Sequence, residues 1–121
     1  MTHLMGLPRP PTAVLCGNDE IAYGAIRAMV KLGLSVPEDV SVVGFDDQNM
    51  AEFYNPPLTT VNIPRHELGR RAAQELIDQL AGREVAREVV LPTRLVVRES
   101  TAPPPAQGRG SRARRAKTSP P

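Results

Sequence analysis

Two short apolar runs joined by one amphipathic helical stretch constrain this chain more than any other feature. Ala13-Val14-Leu15-Cys16 is a continuous apolar run, as expected of a strand buried on both faces. Ile21, Ala22, Ala25, Ile26, Met29 and Leu32 then recur at helical spacing on one face. Gly33 follows the last of them and suits a left-handed cap, and Pro37 keeps the helix from resuming. Val40, Val42, Val43 and Phe45 form the second run, which ends at Gly44-Phe45-Asp46-Asp47. Strand, helix and strand in that order make a βαβ unit, normally parallel and right-handed. The fold class is therefore α/β, a parallel sheet with flanking helices.

The rest of the chain extends the pattern. Residues 1–11 contain Pro and Gly and read as a lead-in. Residues 48–58 read as a surface loop closed by Pro56-Pro57, and Thr59 to Ile63 as a short extended stretch stopped by Pro64. Leu68, Ala72, Leu76 and Leu80 are spaced by four, which predicts a helix from about Arg65 to Ala81, ended by Gly82. Val89-Val90-Leu91 and Leu95-Val96-Val97 flank Pro92, which argues for an edge, a bulge or a break. Two helices are thin cover for a parallel sheet. The chain is thus expected to pack against more polypeptide, and by itself to expose a large apolar face and fold poorly.

Charge is unevenly placed. Residues 102–121 hold Arg109, Arg112, Arg114, Arg115 and Lys117 and no acidic residue. The other ten Lys and Arg face all thirteen Asp and Glu in residues 1–101, so the body is net −3. The body gives no electrostatic footprint for nucleic acid. The Pro-, Gly-, Ser- and Arg-rich tail 102–121 is expected to be disordered, since it cannot bury enough apolar surface to offset its ordering entropy. It is read as a solvated extension in preference to a contact for nucleic acid or acidic lipid.

Cys16 is the only cysteine, so no disulfide within the chain is possible. No apolar stretch approaches the ~20 residues that span a bilayer, and residues 1–12 lack a signal-peptide layout. These features fit a soluble, cytoplasmic protein with no membrane partner.

Six blocks occur together in one order. They are Pro11-Thr12-Ala13-Val14, then Asn18 to Ala25 (Asn-Asp-Glu-Ile-Ala-Tyr-Gly-Ala), then Gly33 to Asp47, which includes Val36-Pro37-Glu38-Asp39-Val40-Ser41 and Gly44-Phe45-Asp46-Asp47. Pro57-Leu58-Thr59-Thr60-Val61, Glu67-Leu68-Gly69 and Leu95 to Thr101 (Leu-Val-Val-Arg-Glu-Ser-Thr) complete them. In these blocks residues 11–101 resemble the C-terminal part of the effector-binding region of lactose-repressor/galactose-repressor (LacI/GalR) transcription factors. The resemblance implies a partial periplasmic-binding-protein-like type I fold: a C-terminal lobe, residues 12–60 and about 89–98, plus one helix of the N-terminal lobe, 65–81. By domain, 1–11 lead in and 12–101 belong to the effector-binding region. It implies a small-molecule effector, most simply a sugar, and a homodimer in the parent protein. It implies operator DNA only through a helix-turn-helix that this chain does not contain. The rival is a fragment of a sugar-binding protein for uptake with no DNA role; the Val-Pro-Glu-Asp-Val-Ser block and the Arg-Glu-Ser-Thr ending favour the regulator.

Asn18-Asp19-Glu20 ends the first strand and opens a helix, at the crevice where open α/β sheets bind ligands. Asp19 can accept from two adjacent sugar hydroxyls, or can simply favour the helix N-terminus through its dipole. The residues alone leave both open, and the resemblance, in which a similar position contacts effector, favours binding. Asn18 is read first as an N-cap, and second as a contact. Gln48, Phe53 and Tyr54 either line the cleft or pack within their own loop. Asp46-Asp47 sit at a strand end, where Asp is a turn former, with no neighbouring His, Cys or Glu to complete a site. His3 and His66 have no ligand-spaced partner, His66 reading as a solvated side chain. Ser41 and Ser100 lie in no nucleophile elbow, and no phosphate-cradling glycine loop occurs. No metal, cofactor or catalytic constellation is expected, so the chain is not read as an enzyme.

Overall fold

The computed structural model describes residues 1–104, so most of the tail expected to be disordered lies outside the described residues. The elements in chain order are α1 (Thr2–Met5), β1 (Ala13–Leu15), α2 (Asp19–Lys31), β2 (Ser41–Asp46), α3 (Met50–Phe53), β3 (Thr59–Asn62), α4 (Arg65–Leu80) and β4 (Arg94–Val96). The strands form one sheet in the order β1-β2-β3-β4. β1, β2 and β3 are mutually parallel, as the βαβ pattern requires, and β4 runs antiparallel to β3. The parallel sheet of the sequence reading therefore ends in one reversed strand.

α2 forms where the periodicity places it. Asn18 is its N-cap, accepting from the Ile21 amide at 2.8 Å. Ala22, Ala25, Ile26 and Met29 are buried. The helix ends beside Gly33, whose φ of +70° places it in the left-handed region, and Leu34 N–H donates back to Met29 C=O at 3.0 Å. The core lies between α2 and one face of the sheet. Its most enclosed apolar side chains are Ile26, Met29, Leu58, Val40 and Val42. Burying each of these contributes ~1.5–3 kcal/mol, which is why the βαβ unit dominates the packing.

Strand register sorts the two faces. Val14, Val42, Gly44, Thr60 and Val96 share the α2 side through the pairs Val14↔Val42, Gly44↔Thr60 and Thr60↔Val96. Leu15, Val43, Phe45, Val61 and Leu95 share the opposite side. On that side Leu15 is 74% and Leu95 59% exposed. α4 adds no cover there, since none of its residues is buried. Leu68, Leu76, Ile77 and Leu80 are all exposed, so its helical stripe stands unpartnered among the described residues. The apolar exposure expected from the thin helix count is thus located on one sheet face and one helix.

Three local features depart from the sequence reading. The lead-in contains the one-turn α1, with Met1 and Met5 packed against the core. The loop 48–58 contains α3, anchored by the fully buried Ala51. Val89-Val90-Leu91 forms no strand; Pro92 has no N–H to donate to a ladder, and pairing begins only at Arg94.

Residues 98–102 close the sheet at the end opposite the carboxyl ends of the parallel strands. Ser100 is fully buried between β2 and β3. Its hydroxyl donates to Val42 C=O at 2.6 Å and accepts from Thr59 N–H at 2.8 Å. Val42 N–H in turn donates to Ser100 C=O at 2.8 Å. A side chain and a backbone group thereby do the work of a strand residue.

Candidate functional site

Because β1, β2 and β3 are parallel, their carboxyl ends open on one edge, bringing Asn18, Asp46-Asp47-Gln48 and Asn62 together.

Asp19 is fully buried beneath that edge. Its Oδ1 accepts from the Thr60 hydroxyl at 2.5 Å and its Oδ2 accepts from the Gln48 backbone N–H at 2.7 Å. A Cβ added at Gly44 would lie 2.2 Å from Asp19 Oδ1, so glycine is what lets the carboxylate sit over β2. Both oxygens therefore have protein donors and neither is exposed. The carboxylate expected as an effector contact here ties α2 to β3 and to the turn after β2.

Asn18 takes the capping role. With its Oδ1 engaged by Ile21 N–H, its Nδ2 has no protein acceptor among the described residues. Gln48 contributes its backbone N–H to Asp19, and its side chain is half-buried. Phe53 is 78% exposed. Tyr54 instead stacks on Tyr23, ring centroids 4.4 Å apart at 26°, and its hydroxyl donates to Tyr23 C=O at 3.1 Å. That pair packs the loop on α2, outside the loop itself. Burial, aided by the nearby Asp19 charge, pushes the Tyr23 phenol pKa up, and its hydroxyl is buried with no partner among the described residues. Burial likewise raises the Cys16 thiol pKa, in keeping with an inert core residue. His66 is exposed on the first turn of α4.

Asp46 and Asp47, set aside in the sequence as turn formers, are the most distinctive residues of the edge. Asp46 has φ +112° and Asp47 φ +50°, both unusual for residues with a Cβ. The Asp46 side chain is half-buried and receives no hydrogen bond from any described residue. Asp47 is the reverse. Its Oδ1 accepts from Arg98 Nη2 at 2.8 Å and its Oδ2 from Asn62 Nδ2 at 2.9 Å. Its N–H donates to Thr60 Oγ1 at 3.3 Å, and its C=O accepts from Arg65 Nη2 at 3.2 Å. Arg98 Nη1 also donates to Leu58 C=O at 2.9 Å. Burial by itself would raise the Asp47 carboxyl pKa, but the hydrogen bonds from Arg98 and Asn62, with the Arg98 and Arg94 charges, outweigh it and hold the group below the ordinary carboxylate value. The contacts of Asp47, Thr60 and Arg98 run across strands, which helical or strand periodicity does not encode.

No group of three or more His, Cys, Asp or Glu side chains among the described residues is placed to hold a metal ion. No helix among them is long and apolar enough to cross a membrane.

A family model described as a periplasmic binding protein-like domain matches residues 2–101. The HTH-type transcriptional repressor CytR of Escherichia coli K12 is 44% identical over 102 residues, covering 84% of this chain and 30% of the relative. A dimeric Lac repressor with an 11-residue C-terminal deletion superposes with a TM-score of 0.74 at 41% identity, covering 78% of this chain and 35% of that one. A complex of the transcriptional regulator CelR with cellobiose superposes with a TM-score of 0.70 at 42% identity, covering 74% of this chain and 28% of that one. The chain thus spans about a third of the length of the proteins it matches.

Proposed function

The chain belongs to the periplasmic-binding-protein-like domain family, among the LacI-type transcriptional regulators, and from that premise we propose that it forms one side of an effector cleft in such a regulator. The observation that carries the reading is the Asp46 carboxylate. It sits half-buried at the carboxyl end of a parallel strand, in left-handed backbone, without a protein donor among the described residues. A carboxylate so placed accepts from ligand hydroxyls, and charge-assisted bonds of this kind are stronger than neutral ones. Asn18 Nδ2 offers a donor at the neighbouring strand end, so the edge presents acceptor and donor to a polyhydroxylated molecule. The effector is a sugar or a similarly hydroxylated polar metabolite, with Gln48 and Phe53 as flanking contacts. Asp19 serves the site as scaffold.

In the regulator, the effector shifts the balance between lobe arrangements by its differential affinity for them. The regulator is cytoplasmic, pairs as a homodimer and meets operator DNA through a domain outside this chain.

The test titrates the intact two-lobe regulator with cellobiose and a panel of neutral oligosaccharides, following tyrosine fluorescence. Asp46→Ala should weaken the responding sugar about tenfold or more, the range for a hydrogen bond to a charged group. Unchanged affinity in a folded Asp46→Ala protein rejects the reading.

A further inference from the structure

We propose that Asp47 is a positioning residue that couples the ligand edge to the end of β3 that leads into α4 and to the segment that follows β4. The inference rests on the reading of Asp46 as the ligand-facing carboxylate. Asp47 grips both with one carboxylate: Asn62 ends β3 just before α4, and Arg98 lies just past the end of β4. Its C=O receives Arg65, the first residue of α4, and its N–H reaches Thr60 inside β3. Arg98 extends the grip to Leu58 C=O. The Asp47–Arg98 pair is largely enclosed, its side chains 13% and 18% exposed, so solvent screens it little.

The link to the ligand edge is covalent and stiff. Asp46 precedes Asp47 directly, and both hold positive φ, where side chains with a Cβ have few alternatives. One planar peptide joins them, so backbone rotation at Asp46 displaces Asp47. A bond that draws the Asp46 backbone with its carboxylate displaces the Asp47 carboxylate against Asn62 and Arg98. The ligand edge and the start of α4 are joined by one dipeptide, without a long relay.

The coupling is measurable without ligand, in the intact two-lobe regulator, by amide hydrogen exchange. Asp46→Asn changes the charge at the edge and should alter exchange at residues 59–62 and 94–98 by about fivefold. In an Asp47→Asn background, and separately in an Arg98→Gln background, the same Asp46→Asn change should leave those amides within about twofold. An Asp46→Asn effect of equal size in all three backgrounds overturns the proposal, as does no effect in the otherwise unaltered chain. Either background suffices if the other unfolds. Since no ligand enters the measurement, its failure is separate from failure of the sugar titration.

Discussion

The Thr60 hydroxyl stands 2.5 Å from Asp19 Oδ1, joining the first residue of α2 to the middle of β3 across 41 residues of chain. Neither group reaches solvent. The expected consequence is for stability before binding. Asp19→Ala strands the Thr60 hydroxyl and the Gln48 N–H and should cost about 3 kcal/mol in urea unfolding. Loss of ligand response at unchanged stability would instead restore Asp19 as a direct contact.

Gly44 predicts the same dependence from the opposite direction. A methyl group there meets Asp19 Oδ1 at 2.2 Å and Leu58 Cδ2 at 2.8 Å. Gly44→Ala should lower stability by about 2 kcal/mol, the scale of overpacking in a closed core. Adding Thr60→Ser, which removes a methyl but keeps the hydroxyl, should not recover it. Wild-type stability in Gly44→Ala would mean that the carboxylate is not seated against β2.

Asp46 sets function against stability. At φ +112° it carries backbone strain that glycine would not. Asp46→Gly should raise the unfolding free energy by up to about 1 kcal/mol while abolishing the sugar response of the intact regulator. A destabilised Asp46→Gly protein would mean that the side chain is held by the fold.

Acid should loosen the Asp47 clamp. Its carboxyl pKa in the folded chain lies below the ordinary 3.8, so the ionised group favours the folded state. That contribution is complete well above 3.8 and disappears as pH falls through the lower folded value. Thermal unfolding between about pH 5 and 2 should therefore show a steeper loss in the unaltered chain than in Asp47→Asn. Parallel pH profiles would show that the pair contributes no charge-dependent stability.

The βαβ unit and α4 were legible because their apolar positions repeat at 3.6 or run continuously, and the capping glycines mark their ends. The one-turn α3 was not, since four residues hold no period. Pro92 was read as a possible break and is one, but the reversal of β4 depends on its pairing with β3, which no local signal carries. The site was legible in place and less so in role. A carboxylate after a strand suggests a ligand edge, yet the sequence does not show that Asp19 is buried and Asp47 bonded while Asp46 is left without a donor among the described residues. Those environments are set by Thr60 and Gly44 against Asp19 and by Arg98 against Asp47, each pair distant in sequence. Asn18 could be assigned as a cap because capping is local.

The Ser100 seam has a consequence for how the protein is made. β2 meets β3 directly only from Val43↔Thr59 to Asp46↔Asn62, and its first two residues are instead laced to Ser100 and Ala102, with Ser100 also holding Thr59 N–H at the start of β3. A chain emerging from the ribosome can wind α2 and pair β1 with β2, but it cannot seal that seam until Ser100 has been translated. The sheet is therefore committed late in synthesis. A premature stop just before Arg98 would spare every strand and still leave the sheet unfastened.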